Sequence, residues 1–221
     1  MQIRKAGWKI RFQTTLIIFA CALLGSSCAE RGVYHRVRKG QTLYRISLTY
    51  RVPMNELVAH NGIEDPFDIK TGQRIFIPGA TKILHVPVIT PSSVAKKRIF
   101  IKPVRGTITG RFGERRRRHF HKGVDIAAPS GTLVVAALSG KVVYAGSGFS
   151  GYGKTVIIDH QNGFLSLYSH LRRILTKVGR MVRQRDVIGK VGKTGRATGP
   201  HLHFEIRHDE RLVNPLEFMI L

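Results

Sequence analysis

The sequence predicts an α+β fold in two unequal blocks, a small βααβ unit followed by a mostly antiparallel β domain. Three observations carry this expectation. Tyr34 to Pro78 reads strand, helix, helix, strand within about 45 residues, from the change of hydrophobic period along it. From about Arg98 onward, short β-branched runs alternate with glycines, and no stretch keeps a helical period over three turns. Between the two lies Gly79 to Lys97, with Pro87, Pro91, Ser92 and Ser93 and no sustained period, which reads as a linker.

Taken from the start, residues 1–28 read as an export signal. Arg4, Lys5, Lys9 and Arg11 form a positive region without an acid, and an apolar stretch runs from Leu16 to Leu24. That stretch is too short for the roughly 20 residues that span a bilayer. The small residues Gly25, Ser26 and Ser27 then precede Cys28. Leu24-Gly25-Ser26-Ser27-Cys28 resembles a bacterial lipoprotein box, in which the cysteine is lipidated and becomes the new N-terminus. Gly25 stands where the box usually carries a large aliphatic residue. Ordinary cleavage and an uncleaved anchor are the alternatives, and Cys28 is then an incidental small residue. Cleavage at Cys28 leaves a mature chain with one cysteine and no internal disulfide.

In the first block, Tyr34-His35-Arg36-Val37 forms the opening strand. Thr42 is placed to cap a helix in which Leu43, Ile46 and Tyr50 recur at helical spacing. Met54, Leu57 and Val58 mark a second helix, which ends at Asn61-Gly62, a C-cap signal. Asp65-Pro66 turns the chain, and Gly72 to Pro78 closes the unit as a strand. Tyr34, Val37, Gly40, Thr42, Leu43, Ile46, Val52, Leu57, Asn61, Ile69, Gly72, Gln73, Ile75, Ile77 and Pro78 resemble a LysM module (34–78). The resemblance implies binding to N-acetylglucosamine-containing glycan, here peptidoglycan. It places the glycan groove beside Gly40, Gln41, Thr42 and Leu43 and beside Asn61, Gly62 and Ile63, continuing to Asp65.

In the second block, Leu133 to Val135, Lys141 to Tyr144, Thr155 to Ile158 and Phe164 to Tyr168 read as strands. Asn162-Gly163 is a hairpin turn between the last two. Gly148 to Thr155 satisfies a P-loop pattern letter by letter, and Gly146-x-Gly148-x-x-Gly151 a dinucleotide fingerprint. Both mechanisms need a helix after the loop to hold phosphate on its amide groups. A β-branched strand follows instead, so the glycines are expected to shape a loop beside a cleft.

Three histidine motifs carry the chemistry: His121-x-x-x-Asp125, Tyr168-x-His170 and His201-x-His203. Residues two apart in an extended strand share a face, so Tyr168 and His170 are expected to project together, as are His201 and His203. Two imidazoles and a carboxylate suit zinc, and three protein ligands leave a fourth position open for water. Each motif alone is as readily incidental. Together, in this order, and with Gly106 to Gly113, Gly123 to Ile126, Gly151-Tyr152-Gly153, Tyr168 to Leu171, Gly195 to Glu205 and Asn214-Pro215, they resemble the lysostaphin-like, LytM-type metallopeptidases.

That resemblance covers Lys102 to Leu216 of a domain placed at 98–221, and it implies zinc (Zn2+) as cofactor, with His121, Asp125 and His203 as ligands. It implies His170 and His201 as the two catalytic histidines, one a base and one a stabiliser of the oxyanion or water. Tyr168 reads as structural, Glu205 either as a partner of His203 or as a solvent-facing strand end, and His119 and His160 as surface residues. Arg185 stands where the family usually has a turn glycine. The basic run Glu114 to Arg118 is open between a polymer contact and a solvated loop.

The chain carries 37 Lys+Arg against 13 Asp+Glu. Export turns such a surplus away from nucleic acid and toward anionic wall polymer or lipid headgroups, with a merely solvated surface as the alternative. The expected protein is an envelope lipoprotein that cuts peptide stems or bridges of peptidoglycan. The alternatives are a non-enzymatic activator of a separate wall amidase, which brings a regulatory protein partner, and a wall-binding protein with an idle metal site. Two independent domains are expected, so removal of the first should leave hydrolysis by the second unchanged.

Overall fold

The computed structural model describes residues 31–88, 99–116, 119–161, 163–209 and 211–220. The export segment, Cys28 and the end of the linker lie outside them. No helix among the described residues is long and apolar enough to cross a membrane.

The first block is β1 (Gly32–Arg36), α1 (Leu43–Tyr50), α2 (Met54–Asn61) and β2 (Arg74–Pro78), with β1 antiparallel to β2. Thr42 caps α1, its hydroxyl accepting from the Arg45 amide at 3.2 Å. Gly62 ends α2 in the left-handed region, φ 57°. Leu43, Ile46, Leu57, Ile75 and Ile77 form the buried centre. The linker's first half packs back on this unit: Gln41 donates to the Val86 carbonyl (2.9 Å) and Leu84 to the Tyr50 hydroxyl (2.9 Å).

The second block contains β3 (Phe100–Ile101), β4 (Thr107–Gly110), β5 (Arg115–Arg116), β6 (His119–Phe120), β7 (Val124–Ala127), β8 (Leu133–Val135), β9 (Gly140–Gly146) and β10 (Lys154–Asp159). It continues with β11 (Phe164–Ile174), β12 (Met181–Val182), β13 (Val187–Val191), β14 (His201–His208), β15 (Arg211–Val213), α3 (Pro215–Phe218) and β16 (Met219–Ile220). Ten strands form one antiparallel sheet, its main path running β12-β9-β10-β11-β14-β7-β4. The predicted α+β class is therefore observed. A strand, β10, follows the glycine loop, which removes both nucleotide readings.

Each face of the sheet meets a different core. Val124, Ile126, Val156, Ile158, Tyr168, Leu202, Phe204 and Ile206 share one cluster with Phe100 and Phe218. From the opposite side, Tyr144, Phe149, Ile157, Leu165 and Leu167 join the first block's cluster around Leu57 and Val58. The two blocks thus share a core, which differs from the independent pair expected. Helix α2 packs on β9, and the faces that alternate along β10 and β11 are both buried.

Candidate metal centre

Strand β14 sits between β11 and β7, which brings its outward face over Asp125. His203 pairs in register with Asp125, and His201, His203, Glu205 and Arg207 share a face because side chains alternate along a strand. His121 enters from the turn before β7. Gly123 lets that turn approach β14, since a Cβ there would stand 2.2 Å from the Phe204 carbonyl oxygen.

His121 Nε2, Asp125 Oδ1 and His203 Nδ1 form a compact triangle. Nε2 lies 3.0 Å from Asp125 Oδ1 and 3.1 Å from His203 Nδ1, and the third side is 2.9 Å. Donors about 2.0–2.1 Å from a tetrahedral zinc stand roughly 3.3 Å apart, so a cation fits with small relaxation. These three are the group among the described residues that can hold a metal ion.

The remaining atoms of these three side chains are held from behind. His121 Nδ1 donates to the Arg111 carbonyl (2.8 Å), which leaves Nε2 with the lone pair. His203 Nε2 donates to Glu205 Oε1 (3.1 Å), which leaves Nδ1 with the lone pair. Fixing the tautomer through the other ring nitrogen is the usual support of a ligating histidine. Asp125 Oδ2 accepts from Arg116 (2.8 Å), so one residue of the basic run belongs to the site. No sequence spacing signalled this contact.

Glu205 is fully buried and accepts from three groups. Besides His203, the Tyr152 hydroxyl donates to Oε1 (2.9 Å) and Arg207 to Oε2 (3.2 Å). Burial alone would raise its pKa, but the His203 hydrogen bond and the Arg207 charge lower it to about 2. Burial opposes ionisation of Asp125 too, yet His121 and His203 hydrogen-bond it when their inward nitrogens carry protons, and this holds it well below the usual carboxylate range. Burial would lower His203, but Asp125 and Glu205 raise it to about 9, a proton that a bound cation displaces. Burial, with the Glu205 and Asp65 charges, pushes Tyr152 up and keeps it a donor.

His170 and His201 stand beside the triangle, their ring centroids 4.8 Å apart, and His170 is 5.9 Å from His203. His201 Nε2 is 3.7 Å from Asp125 Oδ1, and its Nδ1 donates to the Gly199 carbonyl (2.9 Å). His170 Nδ1 donates to the Thr194 carbonyl (2.7 Å). Burial, helped by the charge of His203, lowers His170 to about 4. In both rings Nε2 is the nitrogen left for proton transfer.

The expected shared face of Tyr168 and His170 is not observed. Tyr168 is buried in the far core, its hydroxyl accepting from the Ala137 amide (2.8 Å). His170 has φ 61°, a left-handed residue inside β11, and the extra residue turns its ring to the metal side. The loop Gly151-Tyr152-Gly153 holds that conformation, with the Tyr152 carbonyl accepting from the His170 amide at 2.9 Å.

His160 is not a surface residue: it is buried and bonded to the Ser139 carbonyl and the Ser166 hydroxyl, each at 2.8 Å. Arg185 does adopt the left-handed turn, φ 76°.

Among the residues expected beside a glycan groove, Gln41 bonds His35 and the linker, Thr42 caps α1, and Leu43 and Ile63 are buried. The Asn61 amide bonds Leu57 and Phe76, and Gly62 caps α2. Gly40 is exposed, with φ 82°.

Comparison with known proteins decides the family. Residues 119–215 match peptidase family M23 and residues 35–78 match the LysM domain. The lipoprotein YgeR of Escherichia coli (strain K12) is 31% identical over 227 residues, covering 92% of this chain and 88% of that protein. The chain belongs to peptidase family M23 and carries a LysM domain. The murein hydrolase activator NlpD of Escherichia coli (strain K12) is 37% identical over 117 residues, covering 53% of this chain and 30% of that protein. The crystal structure of a zinc containing peptidase from Vibrio cholerae aligns with TM-score 0.50 and 34% identity, over 53% of this chain and 39% of that one. These place the M23 protein among peptidoglycan-related envelope proteins.

Proposed function

We propose that this M23 protein is a zinc-dependent endopeptidase that hydrolyses peptide stems or cross-links of peptidoglycan, held at the wall by its LysM domain. The observation that carries the reading is the combination at one site. Three ligands stand in a metal-sized triangle, each backed so that a lone pair or carboxylate oxygen faces inward, with two further histidines alongside.

Zinc held there supplies Lewis-acid polarisation of the scissile carbonyl and a water of lowered pKa. The protein's own groups do the rest. The Thr194 and Gly199 carbonyls fix the rings of His170 and His201, one to take a proton from water and one to stabilise the charge developing on the carbonyl oxygen. Export and lipidation at Cys28 would tether the chain to a membrane facing the wall. The glycan contacts at Gly40 to Leu43 and Asn61 to Ile63 rest on the LysM resemblance.

The second reading, activation of a separate amidase, is favoured by the likeness to a murein hydrolase activator. Retention of all five site residues favours the enzyme. The test separates ligation from catalysis. His203→Ala should lose bound zinc, whereas His201→Ala should keep zinc and lose about 10²–10⁴-fold in hydrolysis. Full hydrolysis by both variants would return the weight to the activator.

A further inference from the structure

Besides the packing of α2 on β9, the LysM domain meets the M23 domain through the short loop between α2 and β2. Its contacts fall on groups that adjoin the metal centre. Asp65 Oδ2 accepts from Lys122 Nζ at 2.7 Å, and Lys122 directly follows the ligand His121. The Glu64 carbonyl accepts from the Ser150 amide at 2.8 Å, two residues before Tyr152, which donates to Glu205. Phe67 lies under the Arg207 guanidinium, 3.6 Å from ring centroid to carbon. Arg207 in turn holds Glu205, and Glu205 holds His203.

The loop is itself preformed. Asp65 Oδ1 accepts from the Phe67 amide at 2.9 Å, a turn that sets Asp65 and Phe67 side by side. Behind it, Tyr144, Phe149, Ile157, Leu165 and Leu167 bury against α1 and α2, so the loop is pressed on the sheet by a hydrophobic seam. Docking through surface charge alone would be screened by salt. A shared core is not.

We propose that the Glu64–Phe67 loop of the LysM domain is a positioning element of the M23 metal centre, fixing Lys122 beside His121 and the Arg207–Glu205–His203 chain, so that metal affinity depends on the LysM domain being docked. The inference rests on the metal-centre reading above, but not on which bond is cut. Because the LysM resemblance puts glycan beside residues 61–65, wall binding and metal-site geometry are coupled through this loop.

The test uses the whole mature chain. Zinc affinity is measured by competition with a chromophoric chelator, and site geometry by the visible absorption of the cobalt(II)-loaded protein. Phe67→Ala should weaken zinc about tenfold, the lower end for loss of a group that supports a ligand, and should alter the cobalt spectrum. Phe67→Tyr, which keeps the ring, should restore both. Asp65→Lys, a partly exposed change that leaves the LysM core intact, should also weaken zinc. Adding Lys122→Asp should recover part of that loss. Wild-type affinity and an unchanged spectrum in both Phe67→Ala and Asp65→Lys would overturn the inference alone. A wild-type chain that takes up no zinc would overturn the metal-centre reading and this inference with it.

Discussion

Replacing Glu205 probes how far the proposed ligand His203 depends on what stands behind it. In Glu205→Gln the amide oxygen can still accept from His203 and Tyr152, but the charge facing Arg207 is gone. Arg207 is 6% exposed, so its guanidinium is left buried without that carboxylate. Removing one partner of a buried pair costs about 3–5 kcal/mol, and the low end applies here because Phe67 still covers the cation. About 3 kcal/mol lowers the melting temperature of a chain this size by roughly 6–12 °C. Zinc affinity should fall about tenfold in Glu205→Gln and about 100-fold in Glu205→Ala, which removes the acceptor of His203 altogether. Thermal melting and chelator competition read the two effects separately. Zinc binding by Glu205→Ala within twofold of wild type would refute the argument that Glu205 fixes the ligating tautomer.

Two backbone positions give predictions of opposite sign. Gly153→Ala places a Cβ 2.4 Å from Thr194 Oγ1 at φ 66°, so it should destabilise by about 2 kcal/mol or more. It should also depress hydrolysis, because Thr194 positions His170; unchanged melting and activity would contradict this. Arg185→Gly relieves a left-handed side chain (φ 76°) and should raise the melting temperature by about 2–4 °C with zinc binding unchanged, since the strain is about 1 kcal/mol. A lower melting temperature would show that Arg185 is held there by contacts that outweigh its strain.

Much of the fold was legible because its signals are local. The Thr42 cap, the Gly62 C-cap and the turn through Gly163 each depend on a few adjacent residues. The face of β14 was legible from period two, which puts His201, His203 and Glu205 together. His170 defied the same rule because one left-handed residue shifts the period, and nothing in Tyr168-Ser169-His170 announces it. The family resemblance, not the alternation, singled out that histidine. Arg116 and the LysM docking were missed because both are contacts between distant segments. A signal for the docking was present: Val156-Ile157-Ile158 and Phe164-Leu165-Ser166-Leu167-Tyr168 are nearly continuous apolar runs. Runs of that kind mark strands buried on both faces, whereas one solvated face would have given alternation. His160 was misjudged for a related reason, since its partners Ser139 and Ser166 lie on other strands and loops.

The central claim is tested by digesting purified peptidoglycan with the soluble mature chain and identifying the released fragments by mass spectrometry. The zinc-loaded protein should release fragments cut within the peptide stems or bridges, each cleavage exposing a new amino group. Chelation should stop this release, and added zinc should restore it. No release by the zinc-loaded chain alone, together with faster release when a wall amidase is added, would contradict the endopeptidase and identify the M23 domain as an activator.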